Sequence, residues 1–214
     1  MTGPNWEQKL LTEEEYLAFE EASAERHEFW FGRVVPVHGV TGEGARAMAG
    51  ASEKHVSIAS ESITALNNRL RGSGCRAGGS DIRVQMEDSN YAYPDVVVWC
   101  RDAQWSGAKR TTLHTPLVLI EVLSAATAHT DFSTKLQAYK RLDSLADYLI
   151  ISQARVYVEH FSRSDQKDVW INRSYNRREQ IIELKALGIQ LPVADIYFDI
   201  DVPEQLTLWD EDDG

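Results

Sequence analysis

Two apolar runs in this sequence each carry a carboxylate. "YPDVVVW" places Asp95 at the head of one, and "PLVLIEVLS" places Glu121 inside the other, between Ile120 and Val122. Strand side chains alternate between faces, so a run that is apolar at every position reads as buried on both sides. An ionised carboxylate there costs several kcal/mol unless a cation or a metal compensates it. Glu121 is therefore either half of a structural ion pair or part of a site. Asp95 has a third reading, because "YPD" ahead of an apolar run is also ordinary turn chemistry.

A third residue ties the two together. The helical pattern "DFSTKLQAYKRLDS" follows the Glu121 run and sets Asp131 and Lys135 four residues apart, on one helix face. A strand-borne Asp, a strand-borne Glu and a nearby Lys make up the groups of a metal-dependent phosphodiesterase. Two carboxylates hold a hard cation such as Mg²⁺, and the ammonium stabilises charge developing on phosphate or orients the attacking water.

The rest of the chain must position these groups. Thr12 followed by Glu13, Glu14 and Glu15 reads as a capped helix start, with the helix running to about Ala24. "HEFWFGRVVPV" reads as a hairpin turning at Gly32, with Glu28 at its start. Residues 38–51, rich in Gly and Ala, read as a loop. A second helix follows over "SEKHVSIASESITALNNRL", with Val56, Ile58, Ile63, Leu66 and Leu70 on its apolar side, and "RGSGCRAGGS" ends it. Apolar runs at 82–86, 96–100, 117–123, 148–151 and 155–161 read as strands, with the Lys135 helix between the third and fourth. This order predicts an α/β fold, a mixed β-sheet flanked by α-helices. We expect a single domain over residues 1–214, with 1–11 and 205–214 as flexible tails.

Composition narrows the function classes. The 33 Asp and Glu against 22 Lys and Arg give a formal net charge of −11, which argues against broad nonspecific binding to nucleic acid or anionic membranes while leaving room for a local basic groove. The only cysteines, Cys75 and Cys100, lack CxxC spacing, so neither a disulfide framework nor a thiolate zinc site is expected. A reducing, cytoplasmic location fits. No stretch approaches the roughly 20 apolar residues of a membrane span.

Taken in order, "LTEEEYLAFEE", "RHEFWFGRVV", His55 on the second helix, "DIRV", "YPDVVV", "TPLVLIEVLS" and "DFSTKLQAYKRLDSLADYLIIS" resemble the Uma-two family, a restriction-endonuclease branch of the PD-(D/E)XK nuclease superfamily. The likeness runs to about residue 160. It implies a restriction-endonuclease-like fold and a Mg²⁺-dependent endonuclease acting on DNA, with Mn²⁺ as a substitute. It puts Asp95 and Glu121 in the metal positions and adds Glu28 from the hairpin. The superfamily pattern has Lys two residues after the Glu, where this chain has Leu123; the resemblance implies that Lys135 takes that role, a displacement shared within the branch. Family members commonly have Trp and Asp where this chain has Leu149 and Ser152. A homodimer would supply two sites for two-strand cleavage. Hydrolysis of RNA or branched DNA, or a non-catalytic interaction protein on the same scaffold, are the competing readings.

Other residues carry weaker signals. His55 could orient a phosphate or water, or be a partly buried polar residue; Asp81 could join the acids, or serve turn chemistry. Arg173, Arg177 and Arg178 form a basic cluster that could meet nucleic acid or simply be solvated, as could Lys109 with Arg110 and Lys140 with Arg141. Ser124 lacks a G-x-S-x-G elbow, His114, His129 and His160 lack zinc spacing, and no phosphate-cradling glycine loop is present.

Overall fold

A computed structural model describes residues 9–37, 52–107, 109–123, 132–166 and 168–204. The expected loop at 38–51, Ser124, His129, Asp131 and the tails at 1–8 and 205–214 lie outside them.

Helix α1 (Glu13–Ala22) starts as read. The Thr12 hydroxyl accepts from the Glu15 N–H at 3.2 Å, and the Glu15 carboxylate accepts from the Thr12 N–H at 2.9 Å. It buries Tyr16, which stacks on Phe29 with ring centroids 4.5 Å apart. Strands β1 (His27–Trp30) and β2 (Arg33–Pro36) form the expected hairpin around Phe31 and Gly32. Both turn residues have positive φ, 52° and 85°, the signature of a type I′ turn. Glycine accepts this freely, whereas Phe31 carries a Cβ and gives up about 1–2 kcal/mol.

Helix α2 (Glu53–Leu70), capped by Ser52, turns Ile58, Leu66 and Leu70 inward. Val56, expected on that side, is 55% exposed. Short strands β4 (Arg83–Gln85), β5 (Tyr91–Ala92), β7 (Trp105–Ser106) and β8 (Thr112–Leu113) join the hairpin in a six-stranded sheet ordered β2-β1-β5-β4-β8-β7.

The longer strands form a second six-stranded sheet, β12-β11-β10-β9-β6-β3. It contains β3 (Cys75–Gly79), β6 (Val96–Cys100), β9 (Val118–Leu123), β10 (Asp147–Ser152), β11 (Val158–Arg163) and β12 (Trp170–Tyr175). The β9–β10 pair is parallel, which requires a crossover, and α3 (Phe132–Lys140) lies in that connection. All other pairs in this sheet are antiparallel. The mixed α/β fold is thus as expected, with its strands divided between two large sheets.

Alternation along β9 distributes its side chains between two cores. Val118, Ile120 and Val122 join the cluster that includes Leu66 and Leu70 of α2, while Leu119 joins Tyr139, Tyr148 and Ile150 on the other side. Each such fully buried aliphatic side chain contributes about 1.5–3 kcal/mol relative to exposure. Glu121 has the same parity as Leu119, which turns it toward the α3 side.

Two features went unread in the sequence. Strand β3 pairs with β6 although "CRAGG" has little strand character; a Cβ at Gly78 would come within 2.9 Å of the Trp99 ring and Ile82, so only glycine fits. The same register sets Cys75 opposite Cys100, and the two are joined as a disulfide. This corrects the expectation that the two cysteines build no disulfide framework. Their 25-residue separation shows no motif, because the pairing comes from a cross-strand register that spacing does not reveal. The compartment argument drawn from sparse cysteines loses its basis. Among the described residues, no helix is long and apolar enough to cross a membrane.

After β12 come a hairpin of β13 (Ile181–Leu184) and β14 (Ile189–Pro192) and the short α4 (Val193–Ile196), packed against α2.

Candidate active site

Five elements, β1, α2, β6, β9 and α3, bring the predicted residues together. Strand β6 runs antiparallel to β9 with Val96 opposite Ile120, and continuing that register by one residue sets Asp95 opposite Glu121. Asp95 is fixed at both oxygens. Oδ2 accepts from the Val122 N–H at 2.8 Å, and Oδ1 lies 2.9 Å from His55 Nε2. His55 comes from the first turn of α2, where its N–H also reaches the Ser52 cap. The hydrogen bond to Asp95 raises the His55 pKa against the opposing effect of burial.

Glu28 arrives from the other sheet. Its hairpin is anchored one residue earlier, where buried Glu20 of α1 accepts from the His27 N–H at 3.1 Å and from the Tyr93 hydroxyl at 2.7 Å. The Trp30 indole N–H donates to Glu28 Oε2 at 2.9 Å, so the hairpin also orients its own acid.

Helix α3 supplies the cation. Lys135 Nζ lies 2.8 Å from Glu28 Oε1 and 3.2 Å from Glu121 Oε1, bridging the two sheets. One turn later the Tyr139 hydroxyl donates to Glu121 Oε1 at 2.9 Å. The i, i+4 spacing puts both on one helix face. Tyr139 joins the site beyond the residues expected from the sequence, and its four-residue spacing from Lys135 is the signal for it; Trp30 carries no comparable one.

The electrostatics are those of an acid-rich, poorly solvated cluster. Burial pushes the Glu121 pKa up to about 7; Lys135 opposes this, while Asp95 and Glu28 add to it. For Lys135, burial disfavours the ammonium, but attraction to Glu121 and Glu28 outweighs it and the pKa is raised. Burial, followed by the Glu121 charge, holds the Tyr139 phenol well above its usual range, so it stays a donor.

The donor chemistry suits a hard divalent cation: carboxylate oxygens with surplus negative charge. The arrangement is not a preformed cage. Among the described residues, no group of three or more His, Cys, Asp or Glu side chains is disposed to hold a metal ion. Lys135 stands between Glu28 and Glu121 instead.

The remaining candidates lie apart from this cluster. Asp81 is 92% exposed at its side chain and faces Arg26 at 3.5 Å. Arg173 is exposed on the outer strand β12, opposite His160. Arg178 turns inward, donating to the carbonyls of Tyr197 at 2.6 Å, Ile200 at 2.8 Å and Val202 at 3.4 Å. Arg177 lies beside it, its N–H bonded to the Gln180 side chain. His114 bonds Ser106 and His160 bonds Asp147.

Comparison with known proteins adds a family and a fold. The model of the Uma2 (Uma-two) family, described as "Putative restriction endonuclease", matches residues 13–194. An uncharacterized protein of Synechocystis sp. is 32% identical over 188 residues, covering 87% of this chain and 91% of the relative. A second from the same organism is 30% identical over 156 residues, covering 72% and 82%. A crystal structure from Anabaena variabilis, described as a "putative nuclease", matches with a TM-score of 0.65 at 16% identity, covering 87% of this chain and 97% of that one. The likeness at that identity is one of fold.

Proposed function

This chain belongs to the Uma-two family, and from that premise we propose that it is a metal-dependent endonuclease hydrolysing DNA phosphodiester bonds. One observation carries the reading. Glu28, Asp95, Glu121 and Lys135 come from separate elements of two sheets and a crossover helix, yet the lysine touches two of the acids and the third stands opposite Glu121 across a strand pair.

Asp95 and Glu121, with Glu28, would hold Mg²⁺ or Mn²⁺, which when bound supplies an activated water and a Lewis acid for the phosphoryl oxygens. The other groups position and balance charge. Lys135 directs its ammonium to where negative charge develops on phosphate. His55 and the Val122 N–H fix the Asp95 carboxylate, Tyr139 orients Glu121, and Trp30 orients Glu28. A homodimer would carry two such sites.

Plasmid cleavage with Mg²⁺ or Mn²⁺ tests this, comparing the wild type with Glu121→Ala. The wild type should nick or linearise the plasmid and the variant should not; equal activity would remove Glu121 from the reaction.

The way Lys135 neutralises Glu28 and Glu121 also favours a second reading, a non-catalytic interaction protein whose ion triad is structural. Calorimetry separates the two. No Mg²⁺ or Mn²⁺ binding, with an unchanged Tm, would favour this second reading.

A further inference from the structure

Phe31 occupies a position that folding does not explain. It is a large aromatic, 66% exposed, held at φ 52° in a turn whose geometry suits Asn, Asp or Gly. Neither burial nor local conformation rewards it. The turn is nonetheless fixed: the Phe31 N–H donates to Asn90 Oδ1 at 2.8 Å, and Asn90, itself 3% exposed, is held by its Nδ2 donating to the Glu87 carbonyl at 3.2 Å. The Asn90 loop also uses left-handed backbone, at Asp88 and Ser89. Two unfavourable local conformations thus support one exposed ring. Features that cost stability without a folding return mark functional positions.

The ring borders a cleft of about 190 Å³. Its opposite wall is a second stripe of α3, Thr134, Gln137 and Ala138, with Arg141 just past the helix end, beside the stripe whose Lys135 and Tyr139 meet the acids. Phe31 also lies three residues beyond Glu28 on the same hairpin, within about 10 Å of chain. Trp30 links them, bonding Glu28 and lying 6.4 Å from the Phe31 ring, centroid to centroid. The cleft is therefore one helix face and one short hairpin step away from the candidate chemistry.

Its chemistry selects the occupant. At this volume it is smaller than the roughly 300–1,000 Å³ of pockets for drug-sized molecules. Arg141 pairs with Asp88 at 3.3 Å, and Glu87 leaves the rim with a net negative charge that disfavours phosphate, while Gln137 and Thr134 offer hydrogen-bonding groups beside an aromatic face. A neutral, planar, polar-edged ring system fits. We propose that this cleft receives an unstacked nucleobase flanking the scissile phosphate, with Phe31 as its stacking platform, so that the preferred substrate is single-stranded or locally unpaired DNA. This rests on the nuclease reading above and adds the substrate class. A paired, stacked base does not present its face to Phe31, whereas a single strand does.

The test is fluorescence anisotropy with a fluorescein-labelled single strand of about 15 nucleotides, within the span such surfaces cover, and with its duplex, Ca²⁺ replacing Mg²⁺. Wild type should bind the single strand more tightly. Phe31→Asn should lose about 10-fold on the single strand, as expected for one stacked base, with duplex binding unchanged; Phe31→Trp should retain wild-type affinity. Because Asn suits the turn, the Tm of Phe31→Asn should equal or exceed the wild-type value, which separates a binding defect from misfolding. Equal single-strand affinity for Phe31→Asn and wild type, or a wild-type preference for duplex, overturns the stacking site and leaves the nuclease reading standing. A wild type that neither binds nor cleaves DNA of any form overturns both.

Discussion

Lys135 and Tyr139 reach the same atom, Glu121 Oε1, from successive turns of α3, at 3.2 and 2.9 Å. The phenol bond lowers the Glu121 pKa against the upward push of burial. Tyr139→Phe keeps the ring and removes only that bond. We expect cleavage to persist while the rising limb of its pH–rate profile moves to higher pH, because Glu121 then ionises later. An unmoved profile would show that the hydroxyl does not tune Glu121.

Lys135 is the cation between Glu28 and Glu121, and Lys135→Met leaves both carboxylates buried without it. Breaking a buried pair from one side costs about 3–5 kcal/mol, so urea denaturation near neutral pH should show a large loss of stability. Plasmid cleavage should fall by at least about 100-fold, as for loss of a preorganised charge-stabilising group. A variant as stable as wild type would mean that Lys135 does not compensate the acids.

Stability should fall as pH rises toward neutrality. Glu121 in the folded chain titrates near 7, above its unfolded value of 4.5, through burial and the charges of Asp95 and Glu28, with Lys135 and Tyr139 opposing. A raised carboxylate stabilises the fold fully below the unfolded pKa and loses that contribution as pH climbs through the folded one, at most roughly 3 kcal/mol here. His55, raised by its bond to Asp95, has the same sign; Lys135, also raised, keeps its charge and its contribution throughout this window. Urea midpoints between about pH 4.5 and 7 should decline for wild type and flatten for Glu121→Gln. Parallel slopes would place the titration elsewhere.

The basic cluster should divide by function. Arg178 serves three backbone carbonyls near the end of the described chain, so Arg178→Ala should cost about 2–4 kcal/mol in stability. Arg173→Ala should leave Tm nearly unchanged; if Arg173 meets phosphate, the slope of log affinity against log salt should fall by about one. Thermal melts and DNA titrations at several salt concentrations read both. An Arg178→Ala variant with native Tm and weakened DNA binding would reverse the assignment.

Local pattern explains what the sequence disclosed. The Thr12 capping box, the Gly32 turn, and the limits of β6 and β9 are encoded by neighbours a few residues apart, and structure matches them closely. Glu121 was conspicuous because its run is otherwise apolar. What went unread depends on distant partners. Nothing within "CRAGG" announces the Trp99 ring that requires Gly78, nor the register that joins Cys75 to Cys100. The inward turn of Arg178 depends on carbonyls 19 to 24 residues ahead. Nothing in "HEFWFGRVVPV" sets Phe31 apart from its aromatic neighbours, because its positive φ and its exposure belong to the folded turn.

The Lys135 bridge between sheets also bears on how the chain folds. Glu28 and Lys135 meet only after long loop closures, and such distant contacts form late and slowly. Until the β1–β2 hairpin docks beside α3, Glu121 lacks part of its surroundings and Lys135 lacks one of its two acids. A nascent or partly unfolded chain therefore holds only fragments of this ion cluster, and on the proposed nuclease reading the site is completed only together with the native state.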